Sequence, residues 1–168
     1  MIRAKCSGLR TPWRYYFRAG CSLPLLFVLA APVRAQSAAW DTAISKDPMT
    51  DIDQGIAYTK GDGTLVSFIC QKNGRVGFEV KTARLDFEVG DSRQVTWRVD
   101  HDQPLTETWG NARSGEAIVT GDSATQIARR VAQASEQFVV DDGEGTAVFS
   151  VTGARQAIGR VFQVCGIN

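Results

Sequence analysis

Between residues 56 and 119, apolar and polar residues alternate in short runs that turn residues separate. Runs of this length, rich in Val, Ile, Phe, Thr and Trp, are typical of an antiparallel β-meander. Asn73-Gly74, between two of the runs, is the strongest short-range signal for a β-hairpin. The pattern predicts strands at Ile56–Lys60, Leu65–Cys70, Val76–Lys81, Leu85–Val89, Gln94–Asp100, Leu105–Trp109 and Ala117–Thr120.

After residue 120 the apolar spacing changes to that of a helix. Ser123 is a candidate cap for a helix that continues to Ala134, with apolar residues three and four positions apart. Two short strands, Phe138–Val140 and Thr146–Val151, precede a last helix whose apolar stripe ends at Cys165 and must face the sheet. The sequence therefore predicts an α+β fold, an antiparallel β-sheet or sandwich with two packed helices.

The first 35 residues indicate an export signal. A leader with basic residues and no acid is followed by the apolar run Leu23–Val33 and by Ala35, which completes a small-residue cleavage pattern. The apolar run is about half as long as a membrane-spanning helix, so a membrane anchor is the weaker interpretation. We expect residues 1–35 to be a cleaved signal peptide and residues 36–168 to form a single exported β-rich domain without a transmembrane segment. A true start downstream of Met1 stays open.

Loss of the leader changes the charge and the cysteine content of the protein. The exported domain holds 13 basic and 18 acidic residues, a net charge of −5. A mildly acidic surface argues against nucleic acid and anionic membrane as partners. In the periplasm or outside the cell, the two cysteines that remain, Cys70 and Cys165, are expected to form a disulfide, with two buried free thiols as the alternative. This bridge would stabilise the fold by about 4 kcal/mol on loop-entropy grounds.

Candidate chemistry is sparse along the exported domain. Its single histidine, His101, lies between Asp100 and Asp102 and is a candidate general base, although Pro104 makes the stretch equally suitable for a turn. With one histidine and two bridged cysteines, a tetrahedral zinc site lacks ligands, and the acidic runs lack the spacing of a calcium loop. We expect no catalytic residue, no metal and no cofactor.

Three tryptophans are many for so small a domain, and exposed tryptophans mark recognition surfaces. Trp97 alternates with polar neighbours on its strand and is expected in the core. Trp109 begins a polar segment and is a candidate surface aromatic, with burial as the alternative. Trp40 lies near the start of the exported domain, where it can pin the first segment down.

The segment from Ser45 to Asp51 is the most unusual polar motif in the chain. Its aspartates can accept local backbone hydrogen bonds, which favours an ordered loop. Together with the preceding tryptophan it is a candidate interaction segment. The residues of that segment that we single out are Trp40, Asp47, Pro48, Met49 and Asp51.

Several of these motifs occur together in one known family. They are Trp40, the Ser-Lys-x-Pro-Met-x-Asp type segment from Ser45 to Asp51, the strand Val95–Asp100, and a terminal helix that ends at Cys165. In these features the chain resembles the type VI secretion system-associated accessory proteins of the VasI/TagO kind, small periplasmic proteins of Gram-negative bacteria. The resemblance implies an accessory or interaction role in the cell envelope, without catalysis.

Three hypotheses follow for the function. The first is a periplasmic module that binds an envelope or secretion-complex protein through the sheet face or through the segment Trp40–Asp53. The second is a secreted or periplasmic inhibitor or virulence-associated binding protein similar to the invasion-associated proteins. The third is an envelope hydrolase that uses His101 with Asp100 or Asp102. The sequence leaves the oligomeric state open.

Overall fold

The computed structural model describes residues 38–82, 89–113 and 115–167, which belong to one compact unit that begins at Arg34. Within these residues an antiparallel sheet of nine strands carries two helices, which confirms the predicted α+β class. The predicted signal peptide and most of the strand predicted at Leu85–Val89 lie outside the described residues. The elements are β1 (Asp41–Lys46), β2 (Asp53–Gly61), β3 (Thr64–Gln71), β4 (Val76–Thr82), β5 (Ser92–Val99), β6 (Leu105–Arg113), β7 (Glu116–Thr120), α1 (Asp122–Gln133), β8 (Gln137–Asp141), β9 (Thr146–Ser150) and α2 (Ala154–Cys165).

The strands are ordered β1-β2-β3-β4-β7-β6-β5-β8-β9, and every neighbouring pair is antiparallel. Turn chemistry accounts for the first hairpins. Asp62 and Gly63, with φ of 50° and 76°, form the two-residue loop between β2 and β3. Asn73-Gly74 lies in the turn between β3 and β4, as predicted, and Gly74 supplies a φ of 86°. β1 and β9 are the two edges of the sheet.

Both helices cover the same face of the sheet. α2 packs on β1, β2 and β3, whereas α1 packs on β4, β7 and α2. Aromatic rings fill the space beneath them, with Phe138 in contact with Phe78, Trp97 and Phe149. The guanidinium carbon of Arg130 on α1 lies 4.8 Å from the ring centre of Trp97. Trp97 is thus in the core, as its alternating strand predicts.

Trp109 is also in the core, so its assignment as a surface aromatic is wrong. The polar residues after it do not begin a surface loop, because β6 continues to Arg113. Strand alternation then places Trp109 on the covered face, where it is 0% exposed and packs edge-on against Phe78 at 6.2 Å.

The two ends of the sheet meet at Trp40, which confirms that it pins the first segment down and corrects its inclusion in the candidate interaction segment. Trp40 is buried: its backbone N–H donates to the carbonyl of Thr152 at 2.9 Å, and its indole Nε1 donates to the carbonyl of Ser150 at 3.0 Å. Gly153 permits this approach, because it adopts a φ of 79° and a side chain there would come within 3.2 Å of the Trp40 carbonyl oxygen. Trp40 therefore connects the start of β1 to the end of β9.

The predicted disulfide between Cys70 and Cys165 is present, with the two Cα atoms 6.2 Å apart. It fastens the last turn of α2 to the covered face of β3. Ser123 is not the cap of α1, because the helix begins one residue earlier and Gly121 occupies the cap position. Among residues 38–82, 89–113 and 115–167, neither helix has the length and apolar character needed to cross a membrane.

Candidate interaction site

The segment between β1 and β2 folds into an ordered loop, Asp47–Ile52, which we call the Met49 loop. The backbone N–H of Asp47 donates to the carbonyl of Ile52, and the N–H of Asp51 donates to the carbonyl of Asp47, both at 2.9 Å. Asp51 adopts a left-handed φ of 52°, a conformation that aspartate tolerates better than most residues. These bonds close the loop at both ends.

The Asp47 side chain holds the loop from within. Its Oδ1 accepts hydrogen bonds from the backbone N–H of Met49, from the backbone N–H of Thr50 and from the Thr50 hydroxyl, each at 2.9 Å. The Met49 N–H, followed by the two Thr50 donors, lowers the pKa of Asp47 below its usual value. Pro48 has no N–H, so it leaves no donor unpaired at the start of this turn. Asp47 therefore remains a carboxylate and keeps the loop in one shape.

Met49 lies at the tip of this loop and is 89% exposed, which makes it the most exposed of the large apolar side chains among the described residues. Ile44, on the adjoining strand β1, is 50% exposed. An apolar side chain on a flexible loop would lose conformational freedom when it binds a partner. The Met49 loop is already ordered, so that cost is small.

Two lysines flank the base of the loop. Lys46 and Lys72 pair with the Asp53 carboxylate at 3.9 Å and 3.5 Å, and the Lys72 N–H donates to the Asp53 carbonyl at 2.8 Å. These contacts join the Met49 loop to the turn between β3 and β4. The cleft between them has a volume of about 410 Å³ and is lined by Lys46, Asp51, Ile52, Asp53, Lys72 and Asn73.

The structure brings together Asp47, Pro48, Met49 and Asp51 of the predicted interaction segment, and it separates Trp40 from them. Trp40 precedes the other end of β1, roughly 20 Å away at the usual rise of a strand. Sequence reasoning missed Ile44 and Lys72, which lie beside the loop. Ile44 offers a weak signal, as the only large apolar residue of β1, whereas Lys72 comes close only through the pairing of β2 with β3.

His101 contacts Glu136 rather than either neighbouring aspartate. Its Nε2 lies 3.0 Å from Glu136 Oε2, and its side chain is 78% exposed. Asp102 binds Arg130 at 2.8 Å. The three residues of the predicted catalytic turn therefore face different partners, and the His–Asp hydrogen bond expected for a general base is replaced by structural contacts.

Asp100 has a structural role of its own. It adopts a φ of 48°, and its carboxylate accepts hydrogen bonds from the backbone N–H groups of Ser135, Glu136 and Gln137 and from the Ser135 hydroxyl. The Ser135 N–H, with those of Gln137 and Glu136, lowers the pKa of Asp100 to about 2. Asp100 thus ties the end of β5 to the start of β8.

The acidic turn between β8 and β9 likewise binds its own backbone: Asp141 accepts from the N–H of Gly143, and Asp142 accepts from those of Glu144 and Gly145. Within the described ranges, no group of three or more His, Cys, Asp or Glu residues is arranged to hold a metal ion.

Comparisons of the chain with protein families, with curated proteins and with solved structures found no match.

Proposed function

We propose that this protein is a non-catalytic accessory module of the cell envelope, exported to the periplasm, that binds a protein of an envelope machine through the Met49 loop. Type VI secretion is the machine that the resemblance of the sequence implies. The single observation that carries the proposal is Met49, an apolar side chain that is 89% exposed on a loop which Asp47 holds in one conformation. Exposed apolar groups on ordered loops are typical of binding surfaces.

The predicted export signal and the disulfide support the assignment to the periplasm. Disulfides persist in oxidising compartments such as the periplasm and are rare in the cytosol. The Cys70–Cys165 bridge agrees with the predicted leader in pointing to an exported protein.

The contacts of the one candidate catalytic turn support a binding role over hydrolysis. A general base needs its nitrogen free to reach a substrate proton, and a His–Asp pair needs the two side chains in hydrogen-bond contact. His101 contacts Glu136 instead and is 78% exposed, so a substrate beside it would remain in contact with water, and the Asp100 carboxylate is occupied by several N–H groups of the chain.

Site-specific photo-crosslinking in the native host tests the proposal. The protein is produced with a benzophenone amino acid in place of Met49, and irradiated periplasm yields adducts for identification by mass spectrometry. The matched control carries the same amino acid in place of Val89, which is 69% exposed on the connection that precedes β5. We expect one envelope-complex protein to be crosslinked from position 49 and not from position 89.

The captured protein is then purified and titrated against wild type and Met49→Ser. Weaker binding to Met49→Ser, by tenfold or more, supports the proposal. Equal crosslinking from both positions, or equal affinity of both proteins, would contradict it. An adduct with a secreted protein that is not part of an envelope complex would instead favour the inhibitor or virulence-associated hypothesis.

A further inference from the structure

We infer that the partner binds β1 as an added antiparallel strand, and that this strand carries an apolar residue with a basic residue three positions away on each side. The inference rests on the proposed function, because it names the mode of contact and the chemistry of the partner next to the Met49 loop. It follows from the backbone directions along β1, from the side chains on its two faces, and from their charges.

The backbone of β1 has groups that face away from β2 and that no described strand pairs with. In an antiparallel pair, successive residues alternate between facing the partner strand and facing away. The N–H of Asp47 donates to Ile52 and so faces β2, whereas the N–H of Trp40 donates to Thr152 on the opposite side. By this alternation Ile44 and Lys46 also face away from β2, toward a side where no described strand pairs with β1.

The backbone N–H of Thr42 faces away from β2, as this alternation predicts. Its N–H donates to the carboxylate of the adjacent Asp41 at 2.7 Å, so it is not part of the ladder with β2. The part of β1 that is open to an added strand therefore runs from Asp41 to the start of the Met49 loop, because the outward N–H of Trp40 is already bonded to Thr152. An extended peptide that pairs there satisfies the backbone groups of the edge, which is how strand addition gives affinity.

The two faces of β1 present different chemistry. Ile44 and Lys46 lie on the face that the helices cover, and Ile44 remains half exposed. Asp41, Ala43 and Ser45 lie on the opposite face, and Asp47 continues that series. An added strand thus meets an apolar residue at the centre and a carboxylate three residues away on either side.

A second copy of the chain fits this edge poorly. If two β1 strands paired about Ile44, Asp41 of each copy would lie directly opposite Asp47 of the other. Like charges directly opposite each other destabilise a strand pair, and this contact would occur twice. Asp47 is held ionised by its hydrogen bonds. Lys or Arg opposite each aspartate converts both repulsions into attractions, and the net charge of −5 on the exported domain acts in the same direction.

A designed peptide tests this inference on the disulfide-bonded protein secreted to the periplasm of an expression host. The probe is Thr-Arg-Glu-Thr-Val-Thr-Thr-Arg, with both ends blocked and a fluorophore attached, and it stops before the position opposite Trp40, which Thr152 occupies. In the antiparallel register its Val lies opposite Ile44, its Glu opposite Lys46, and its two Arg residues opposite Asp47 and Asp41. The control peptide carries Glu in place of both Arg residues.

Two matched proline variants test the edge itself. Ile44→Pro removes an N–H that faces away from β2, so the pairing of β1 with β2 is kept. Val148→Pro makes the same change on β9, where the carbonyl of Ser150 points outward to Trp40 and alternation places Val148 on the same outward side. A third variant, Asp41→Lys, keeps the test decisive if Ile44→Pro does not fold.

We expect the Arg peptide to bind at least tenfold more tightly than the Glu peptide at low salt. Ile44→Pro is expected to weaken that binding at least tenfold, Val148→Pro to leave it unchanged, and Asp41→Lys to narrow or reverse the preference between the peptides. Equal binding of both peptides, no binding of the Arg peptide at about 1 mM, or unchanged binding to Ile44→Pro would overturn the inference. The crosslink from position 49 tests the proposed function separately. If an envelope partner is crosslinked there but binds Ile44→Pro as tightly as wild type, strand addition is wrong and the proposed function still holds.

Discussion

The two edge strands of the sheet, β9 and β1, differ in the contacts that their outward-facing backbone groups make. At β9 the outward carbonyl of Ser150 accepts the indole N–H of Trp40, and the carbonyl of Thr152 just beyond accepts the Trp40 backbone N–H. At β1 the outward groups of Ile44 and Lys46 face no described strand. One buried tryptophan thus joins the end of β9 to the start of β1, whereas the rest of β1, up to the Met49 loop, has no described strand beside it. The difference indicates where this fold has room for a partner.

An open edge risks unwanted pairing, and β1 shows the features that limit it. The strand is six residues long, carries Asp41 and Lys46 at its ends, and is followed by Pro48. Short length, charge and proline are the usual means by which proteins protect sheet edges. A partner with complementary charge can still pair with this strand, whereas a second copy meets repulsion.

Removal of the disulfide should have the largest effect on stability. The double variant Cys70→Ala and Cys165→Ala is expected to lower the free energy of unfolding by about 4 kcal/mol, because the bridge closes a long loop. It also releases α2, which packs beneath β1, so it tests the support of the open edge. Denaturant unfolding measures the change, with the reduced wild type as the control. A loss of under about 1 kcal/mol would contradict this role of the bridge.

Replacement of Trp40 should loosen the contact between the start of β1 and the end of β9. Trp40→Ala is expected to cost about 3 kcal/mol, at the low end for a buried tryptophan, because Trp40 precedes β1 at the edge of the sheet, where neighbouring side chains can move into the space. Trp40→Phe keeps most of the ring but loses the hydrogen bond to Ser150, so we expect a loss of about 1 kcal/mol. Thermal and denaturant unfolding give both values. Equal losses of stability in the two variants would mean that the volume of the Trp40 ring does not contribute to stability.

Acid should destabilise β8 and β9 before it destabilises β2 and β3. The folded pKa of Asp100 is about 2, below its ordinary value of 3.8. Its contribution to stability is therefore complete above about pH 4 and is lost as the pH falls through about 2. Amide exchange from pH 4 to pH 2 should show β8 and β9 opening earlier than β2 and β3.

Asp100→Asn is the matched variant, because asparagine also tolerates the left-handed backbone at this position. We expect it to lose about 1 kcal/mol at neutral pH and to lack the acid-dependent step. An unchanged acid profile in this variant would assign the step to another carboxylate.

Changes at the open edge should affect stability least. Met49→Ser and Ile44→Thr replace exposed side chains, so each is expected to change the free energy of unfolding by under about 0.5 kcal/mol. Both should weaken partner binding, which isothermal titration measures. A large loss of stability in either variant would mean that these side chains support the fold instead of a contact.

The sequence predicted the parts of the fold that depend on local chemistry. Alternation identified the strands that carry Phe68 and Trp97, and turn residues located the hairpins. The order of the Met49 loop also followed from local hydrogen-bonding capacity. Trp109 was placed wrongly because the polar residues after it suggested a loop, whereas pairing of β6 with β7 extends the strand through them.

The edges could not be predicted, because they depend on contacts between distant segments. Trp40 meets Ser150, at a separation of 110 residues, and no local pattern encodes that contact. His101 meets Glu136 only after α1 returns the chain to the end of β5. β1 is exposed along nearly all of its length, so it gives little alternation from which to predict a strand.

Amide hydrogen exchange of the protein alone and bound to its captured partner tests the central claim most directly. Ile44 and Lys46 have outward N–H groups on β1, and Val148 is the corresponding outward position on β9. We predict that exchange at Ile44 and Lys46 is fast in the free protein and at least tenfold slower in the complex, with Val148 unchanged. Exchange at Ile44 and Lys46 that stays fast in the complex, or that is already slow in the free protein, would contradict the account.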